Sequence, residues 1–363
     1  MMETNTKHVV VAMSGGVDSS TVAALLKEQG YRVTGIMLRL WSEDGKEEKN
    51  RCCTPDSVFA AKRVAAMLGI PFYVIDAKMD FYNHVVQYFL DGYSAGTTPN
   101  PCVVCNKTIR WGKLLDHAIE LGGDYFATGH YARLLSEIDG NVHLHSGIDN
   151  SKDQSYVLSM LDQRQLQKTL LPLGSMTKNE VRACALRMKL PSAEKPDSQD
   201  LCFLGDEDYR AFLQRYRPES LTPGAIMTAS GEVIGQHTGL AAYTVGQRKG
   251  IGISDRVPYY VVAKDAEKNV LIVGKSEDLQ TRQFYARNFN WINGLPGDIE
   301  LTADVMVRYR AIRSTADISV IDGNSVLIHL REPRRDIAQG QLAVLYSGDE
   351  ILGGGIIQYE VKT

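Results

Sequence analysis

The sequence predicts an α/β N-terminal domain on a parallel sheet, followed by a small central domain and a C-terminal β-barrel-like domain. Two observations carry this expectation. Up to about residue 205, short apolar runs alternate with segments of helical spacing, the pattern of a parallel sheet covered on both faces. Beyond that point, helical patterns give way to short strands with turn signals, as in GAIMTASGEVIGQH, YYVVAKDAEKNVLIVG and QLAVLYSGDEILGGGIIQYE. The expected boundaries are 1–207, 208–277 and 278–363, with SEDLQTR at 276–282 as the second joint.

In order, HVVVAM (8–13) is a strand that runs into two glycines. A helix is expected from Ser19 to Gln29, where Val22, Ala23, Leu25 and Leu26 share a face. YRVTGIMLRLW (31–41) is the second strand, and TPDSVFAAKRVAAMLG (54–69) is a helix with Thr54 as N-cap and Pro55 at its first position. PFYVIDA (71–77) is the third strand. A helical pattern from Lys107 to Leu121 precedes DYFATGHYA (124–132), the fourth. Ligands of such sheets sit at the carboxyl ends of the strands, where Ser14 to Ser20 and Thr128 to His130 would meet.

The 363 residues carry a formal charge of −3, so net charge neither announces nor excludes a nucleic-acid partner. No secretory signal core and no membrane-spanning apolar segment is evident. The six cysteines are clustered unevenly, which fits a reducing cytoplasm with reactive or ligating thiols better than a secreted disulfide framework.

AMSGGVDSSTVAALL (12–26) places Gly15-Gly16 between a strand and a helix, where backbone N–H groups and the helix N-terminus converge on an anion. The lysine of G-x-x-x-x-G-K-[ST] is missing, and G-x-G-x-x-G does not fit either. A bare glycine turn with a capped helix is the plain alternative, which the clustered Ser14, Asp18, Ser19 and Ser20 disfavour. Cys105, expected at the start of a helix beside Lys107, is a candidate low-pKa thiol. Cys202 lies in the Pro- and Asp-rich KPDSQDLCF. Two separated thiols near a nucleotide site suit sulfur transfer, one as persulfide and the other resolving it. Cys52 and Cys53 lie in a polar insertion and Cys184 on a helical stretch; none is assigned a role. VRYRAIR is expected as a strand with Arg308 and Arg310 on one face and Tyr309 on the other. His130 at a strand's carboxyl edge is a candidate substrate contact.

SGGVDSS after a strand resembles the PP-loop of ATP pyrophosphatases, the adenine nucleotide α-hydrolase type. With TPNPCVVCNKTIRW, ATGHYAR, KDQSYVL, SQDLCF, YTVGQRKGIGI and VRYRA in order, the whole chain resembles the tRNA-specific 2-thiouridylase family. The resemblance implies ATP, with Mg2+, activating O2 of wobble uridine 34 of tRNA, and sulfur arriving from a cysteine desulfurase or relay protein. It implies Ala12, Met13, Ser14, Gly15, Gly16, Val17, Asp18, Ser19, Leu38 and Gly129 at the nucleotide, Cys202 as persulfide carrier and Cys105 as nucleophile. It puts Asn100, Pro101 and Cys102 beside the target base. Other tRNA contacts would be His130, Lys152, Asp153, Gln154, Arg308, Tyr309 and Gln341. Cys102 stands where that family commonly has Asp, which opens a second reading: Cys102, Cys105 and Cys202 holding a [4Fe-4S] cluster. A pyrophosphatase-type synthetase acting on a small molecule and a non-catalytic RNA-binding protein are the further alternatives; neither gives the paired cysteines a purpose.

Overall fold

The computed structural model describes residues 6–46, 54–138, 140–195, 201–205, 207–335 and 337–359. Cys52 and Cys53 lie outside the described residues. The chain divides into two compact units: 1–85 with 102–206 and 349–351, and 86–101 with 207–348 and 352–363.

The first unit is built on β1 (His8–Ala12), β2 (Arg32–Arg39), β3 (Phe72–Asp76), β4 (Tyr125–Ala127) and the short β7 (Thr169–Leu170), in the order β3-β2-β1-β4-β7. All four pairings are parallel, with Val9 opposite both Val33 and Tyr125. β1 is central, which explains its uninterrupted apolar run: Val9, Val10 and Val11 are fully buried. A hairpin of β5 (Ala132–Ser136) and β6 (Val142–Ser146) follows β4. The chain leaves β1 toward β2 on one side and reaches β4 on the other, so the crevice between the carboxyl ends of β1 and β4 is the switch point of the sheet.

The first helix, α1 (Val17–Glu28), starts two residues before the expected position because Gly16 already serves as N-cap. The next, α2 (Pro55–Leu68), has the expected cap, the Thr54 side chain accepting from Ser57 N at 3.0 Å with Pro55 at the first position. Val22, Ala23 and Leu26 of α1 and Ala61 and Val64 of α2 pack with β1 and β2 into the core of this unit.

In the second unit, β8 (Gly224–Thr228), β9 (Val233–His237), β10 (Tyr260–Asp265) and β11 (Val270–Gly274) form a four-stranded sheet ordered β10-β11-β8-β9. Its core is Ile226, Leu240, Tyr243, Ile251, Val261, Leu271 and Val273. The remaining strands are β12 (Thr281–Trp291), β13 (Glu300–Met306), β14 (Ser314–Asp322), β15 (Ser325–Arg334), β16 (Leu342–Ser347) and β17 (Glu350–Gln358). They run β12-β15-β14-β13-β16-β17, and β12 pairs back onto β17, so the sheet closes as a barrel around Phe284, Ile318, Ile328 and Leu345.

Candidate active site

Met13 N donates to Ile36 O at 2.8 Å, so the turn after β1 leaves from a fixed point. Gly15 takes φ +73°, and a Cβ there would lie 2.3 Å from the Ser57 carbonyl oxygen at the start of α2. Only glycine meets both demands. Gly16, the N-cap of α1, offers no side chain to the first turn, so that end keeps its outward N–H groups and positive dipole end. Hydroxyls stiffen the turn. Ser14 N donates to Ser19 Oγ at 3.1 Å, the two serine hydroxyls lie 3.2 Å apart, and Ser20 Oγ donates to Gly16 O at 2.8 Å. Ala12, Met13 and Val17 line this turn through their backbone, since Met13 and Val17 send their side chains into the core.

Asp18, in the first turn of α1, is gripped from two distant segments. Lys178 Nζ lies 2.7 and 2.8 Å from its two carboxylate oxygens, and Tyr131 OH donates to it at 2.8 Å. A third segment brings Lys195, whose Nζ donates to Gly15 O at 3.3 Å. Two lysines thus stand at the turn, from 160 and 180 residues away. A fixed spacing rule has no view of either. The one available signal for Lys178 was SMTKNEVR, whose Thr177 caps a helix with Glu180 in a capping box and so marks the position of the lysine.

From the β4 side, Gly129 approaches α1 so closely that a Cβ would lie 3.0 Å from Asp18 Cβ and 3.1 Å from Ser19 N. Leu38 sits on β2, 9% exposed, in register with Ile75. The structure thus brings the turn, Asp18, Ser19 and Gly129 to one crevice. His130 is next to it but buried, its Nδ1 2.8 Å from Thr128 Oγ1 and its ring 5.2 Å from Trp111. Burial, helped by the Arg110 charge, pushes its pKa down to about 3, so the ring is neutral.

The cysteine helix begins earlier than expected. Pro101 opens it, Pro101–Val104 is α-helical, and Cys105–Leu114 continues with the wider π-type turn. Cys105 therefore lies one turn inside, 9% exposed, and the first-turn position where the dipole favours thiolate belongs to the exposed Cys102. The expected helical pattern from Lys107 to Leu121 starts six residues too late, since Pro101 is pre-set for a first helical position. Cys202, part-buried, lies in a turn beside Phe203, whose ring meets Phe81 at 6.0 Å. The described cysteines are thiols, with no disulfide among them. No three His, Cys, Asp or Glu side chains among the described residues are gathered to hold a metal ion. The proposed triad of Cys102, Cys105 and Cys202 does not fit a cluster in this structure, because one thiol is exposed and one is buried inside a helix.

Asp153 and Gln154 are committed to the fold. Asp153 accepts from Gly147 N, Ser155 N and Ser155 Oγ at 2.9–3.1 Å, and Gln154 Oε1 accepts from Tyr131 N at 3.1 Å. They set the loop that presents part-buried Lys152 and hold Tyr131, which holds Asp18.

In the second unit, the strand expected through Arg308 and Arg310 stops at Met306. Arg310 takes φ +61°, and Ala311 N closes a turn onto Arg308 O at 3.0 Å. The two arginines therefore do not share a strand face. The Arg310 guanidinium stacks 5.2 Å over Tyr309, and Arg308, Tyr309 and Arg310 are all exposed at this loop tip. Gln341 Nε2 donates to Thr98 O at 3.0 Å and Thr98 N donates to Gln339 O at 2.8 Å. The segment carrying Asn100 and Pro101 is thus pinned from the barrel.

A parallel sheet with a glycine turn and an anion-directed helix end at its switch point is a nucleotide-binding domain of the PP-loop type. Residues 7–206 match the family model described as tRNA methyl transferase HUP domain, 210–275 the tRNA methyl transferase PRC-barrel domain, and 281–357 the aminomethyltransferase β-barrel domain. A relative from Moorella thermoacetica, named tRNA-specific 2-thiouridylase MnmA, is 48% identical over 96% of this chain and 99% of its own. Its namesake in Chloroflexus aurantiacus is 46% identical over 96% and 98%, and tRNA-specific 2-thiouridylase MnmA 1 of Caldanaerobacter subterraneus is 44% identical over 99% and 100%. The chain belongs to the tRNA-specific 2-thiouridylase family. Among the described residues, no helix is long and apolar enough to cross a membrane.

Proposed function

We propose that the chain is a tRNA-uridine 2-sulfurtransferase that uses ATP to exchange O2 of U34 for sulfur. The observation that carries this reading is the crevice between β1 and β4, where the α1 N-terminus, Lys178 and Lys195 surround a glycine turn. Such a site binds the phosphates of ATP and stabilises pyrophosphate as it leaves. Residues 12–19 take the phosphates, and Leu38 and Gly129 flank the adenosine. Any Mg2+ is carried mainly by the nucleotide's own phosphate oxygens.

Uracil O2 attacks the α-phosphorus, the α–β bond breaks and pyrophosphate departs. The adenylated oxygen is now a good leaving group. The terminal sulfur of a Cys202 persulfide attacks C2, and AMP leaves with the C2–O bond. Cys105 as thiolate attacks Cys202 Sγ, the S–S bond breaks and sulfur stays on the base. A Cys105–Cys202 disulfide results, reopened by an external thiol with two electrons. Cys105 must emerge from its helix for this step, and the wide turn from Cys105 to Leu114 is the element that can rearrange. His130 enters as a neutral ring supporting Trp111 and the crevice wall.

Asn100, Pro101 and Cys102 flank the flipped base, and Lys152, Arg308 and Tyr309 meet the tRNA. Persulfide comes from a sulfur-donor protein, and a reducing cytoplasm suits the thiols. The separate cores around Ile226 and around Phe284 favour the division at 208–277 and 278–363.

The test is mass spectrometry of wobble nucleosides after incubation with ATP, a persulfide source and unmodified tRNA. Wild type should yield 2-thiouridine and pyrophosphate, and Cys105→Ala and Cys202→Ala should yield pyrophosphate without 2-thiouridine. Cys102→Ala should keep activity; its complete loss with anaerobically restored iron in the wild type would reinstate the cluster. Pyrophosphate release that ignores tRNA and follows an amine would overturn the proposal.

A further inference from the structure

The motif TVGQRKGIGISDR plays no part in the chemistry above, yet it builds an ordered concave surface on the four-stranded sheet. Its base is fixed by reciprocal bonds to β10, Gly246 N to Val261 O at 2.8 Å and Val261 N to Gln247 O at 3.0 Å. Gln247 braces the interior, accepting from Thr244 N at 3.1 Å and donating to Lys249 O at 2.8 Å. Ile251 and Ile253 then point into the core, while Gly250, Gly252 and Ser254 alternate outward and are exposed. Gly250 and Gly252 sit at φ +77° and +83°, and a Cβ on Gly252 would meet nothing within 4 Å. Left-handed glycines with open space beyond them expose backbone to an approaching ligand. A pocket opens there, lined by residues 248–255 with Pro258 and Tyr259.

Charge identifies the guest. Arg248, Lys249 and Arg256 are exposed, and among the described residues their side chains make no hydrogen bond or ion pair. The loop's one acid, Asp255, is already neutralised by Lys275 at 2.6 Å, and Lys275 itself lies 3.4 Å over the Tyr259 ring. Two unspent cations line a glycine-floored pocket, and a third, Arg256, follows in the same loop.

We infer that this loop is a phosphate-binding site for the tRNA backbone, outside the catalytic crevice. A phosphodiester suits it better than an acidic protein surface does: a compact anion enters a pocket floored by bare backbone, where Arg248 can fork onto its oxygens and Lys249 adds a second charge, with Arg256 close by in the same loop. The inference rests on the tRNA-modifying reading above and adds where the RNA is gripped.

Binding of the full chain to an unmodified tRNA transcript, measured across a salt series, tests it. Arg248→Ala/Lys249→Ala should make the log K against log salt slope shallower by about 2 and Arg256→Ala by about 1. Both should raise the tRNA KM while keeping kcat at saturating tRNA within about twofold. An unchanged slope in variants that melt like wild type would overturn the inference, as would an unchanged slope with lost binding of a sulfur-donor protein. Displacement of tRNA by inorganic phosphate at matched ionic strength, abolished by the double variant, would assign a free-anion site and also overturn it. A wild type that binds no tRNA at all would instead sink the functional reading.

Discussion

The two glycines of the turn are chemically identical and should respond oppositely to the same methyl group. Gly15→Ala forces a side chain into a φ of +73°, which costs about 1–2 kcal/mol. The new Cβ would also begin 2.3 Å from the Ser57 carbonyl oxygen, which belongs to the first turn of α2 and cannot rotate aside. Relieving that clash by moving backbone adds about 1–3 kcal/mol. Gly16→Ala meets neither obstacle. Its φ is −89° and its nearest neighbour would be Ser14 Oγ at 3.5 Å, an ordinary contact. Only the N-cap preference is lost, about 0.5–1 kcal/mol. The difference of roughly 2–3 kcal/mol corresponds to about a hundredfold in unfolding equilibrium. Urea titrations of the two variants, paired with pyrophosphate release, measure it: Gly15→Ala should unfold at much lower urea and be inactive, Gly16→Ala near the wild-type midpoint. Coincident midpoints would refute the claim that the fold, and not only the ligand, requires Gly15.

Lys178→Met leaves Asp18 with Tyr131 alone; because Asp18 remains 32% exposed, the stability cost should be about 1–2 kcal/mol, while pyrophosphate release should fall on the order of a hundredfold. Adding Asp18→Asn should restore the urea midpoint without restoring turnover. His130 is held neutral with a folded pKa of about 3, below its unfolded value near 6.5, so its contribution is complete above pH 6.5 and lost as pH falls from there toward 3. Between pH 6.5 and 5 that amounts to about 2 kcal/mol, and His130→Gln should flatten the urea-midpoint profile over that window by this amount. Gln341→Ala leaves the Thr98 carbonyl without its donor, so stability should drop by about 1 kcal/mol, with the tRNA KM rising and ATP binding unchanged.

The first unit was legible wherever local physics decided. Apolar runs marked β1 to β3, and Thr54-Pro55 marked the start of α2 to the residue. Legibility failed where a backbone choice overrode the pattern. Pro101 begins a helix ahead of the expected one, so Cys105, expected at a helix start, lies one turn inside and Cys102 takes the first turn. Arg310 adopted a left-handed turn, which the alternation in VRYRAIR does not encode. It also failed with distance along the chain: Lys178 and Lys195 reach the glycine turn only because the sheet has folded. The resemblance implies Lys152, Asp153 and Gln154 as tRNA contacts, yet Asp153 and Gln154 spend hydrogen bonds on backbone N–H groups, since a polar triplet cannot reveal backbone donors that need partners.

The carboxylate of Asp18 holds the ammonium of Lys178 through both of its oxygens. On the proposed reading, Asp18 is therefore a resident competitor for that lysine, holding it extended and aimed at the turn. The same competition would act on the way out in the proposed reaction, because pyrophosphate would have to hold Lys178 against an acid tethered 2.7 Å away. On that reading lower product affinity is the expected result: the acid that weakens the grip on ATP would also let the spent pyrophosphate go.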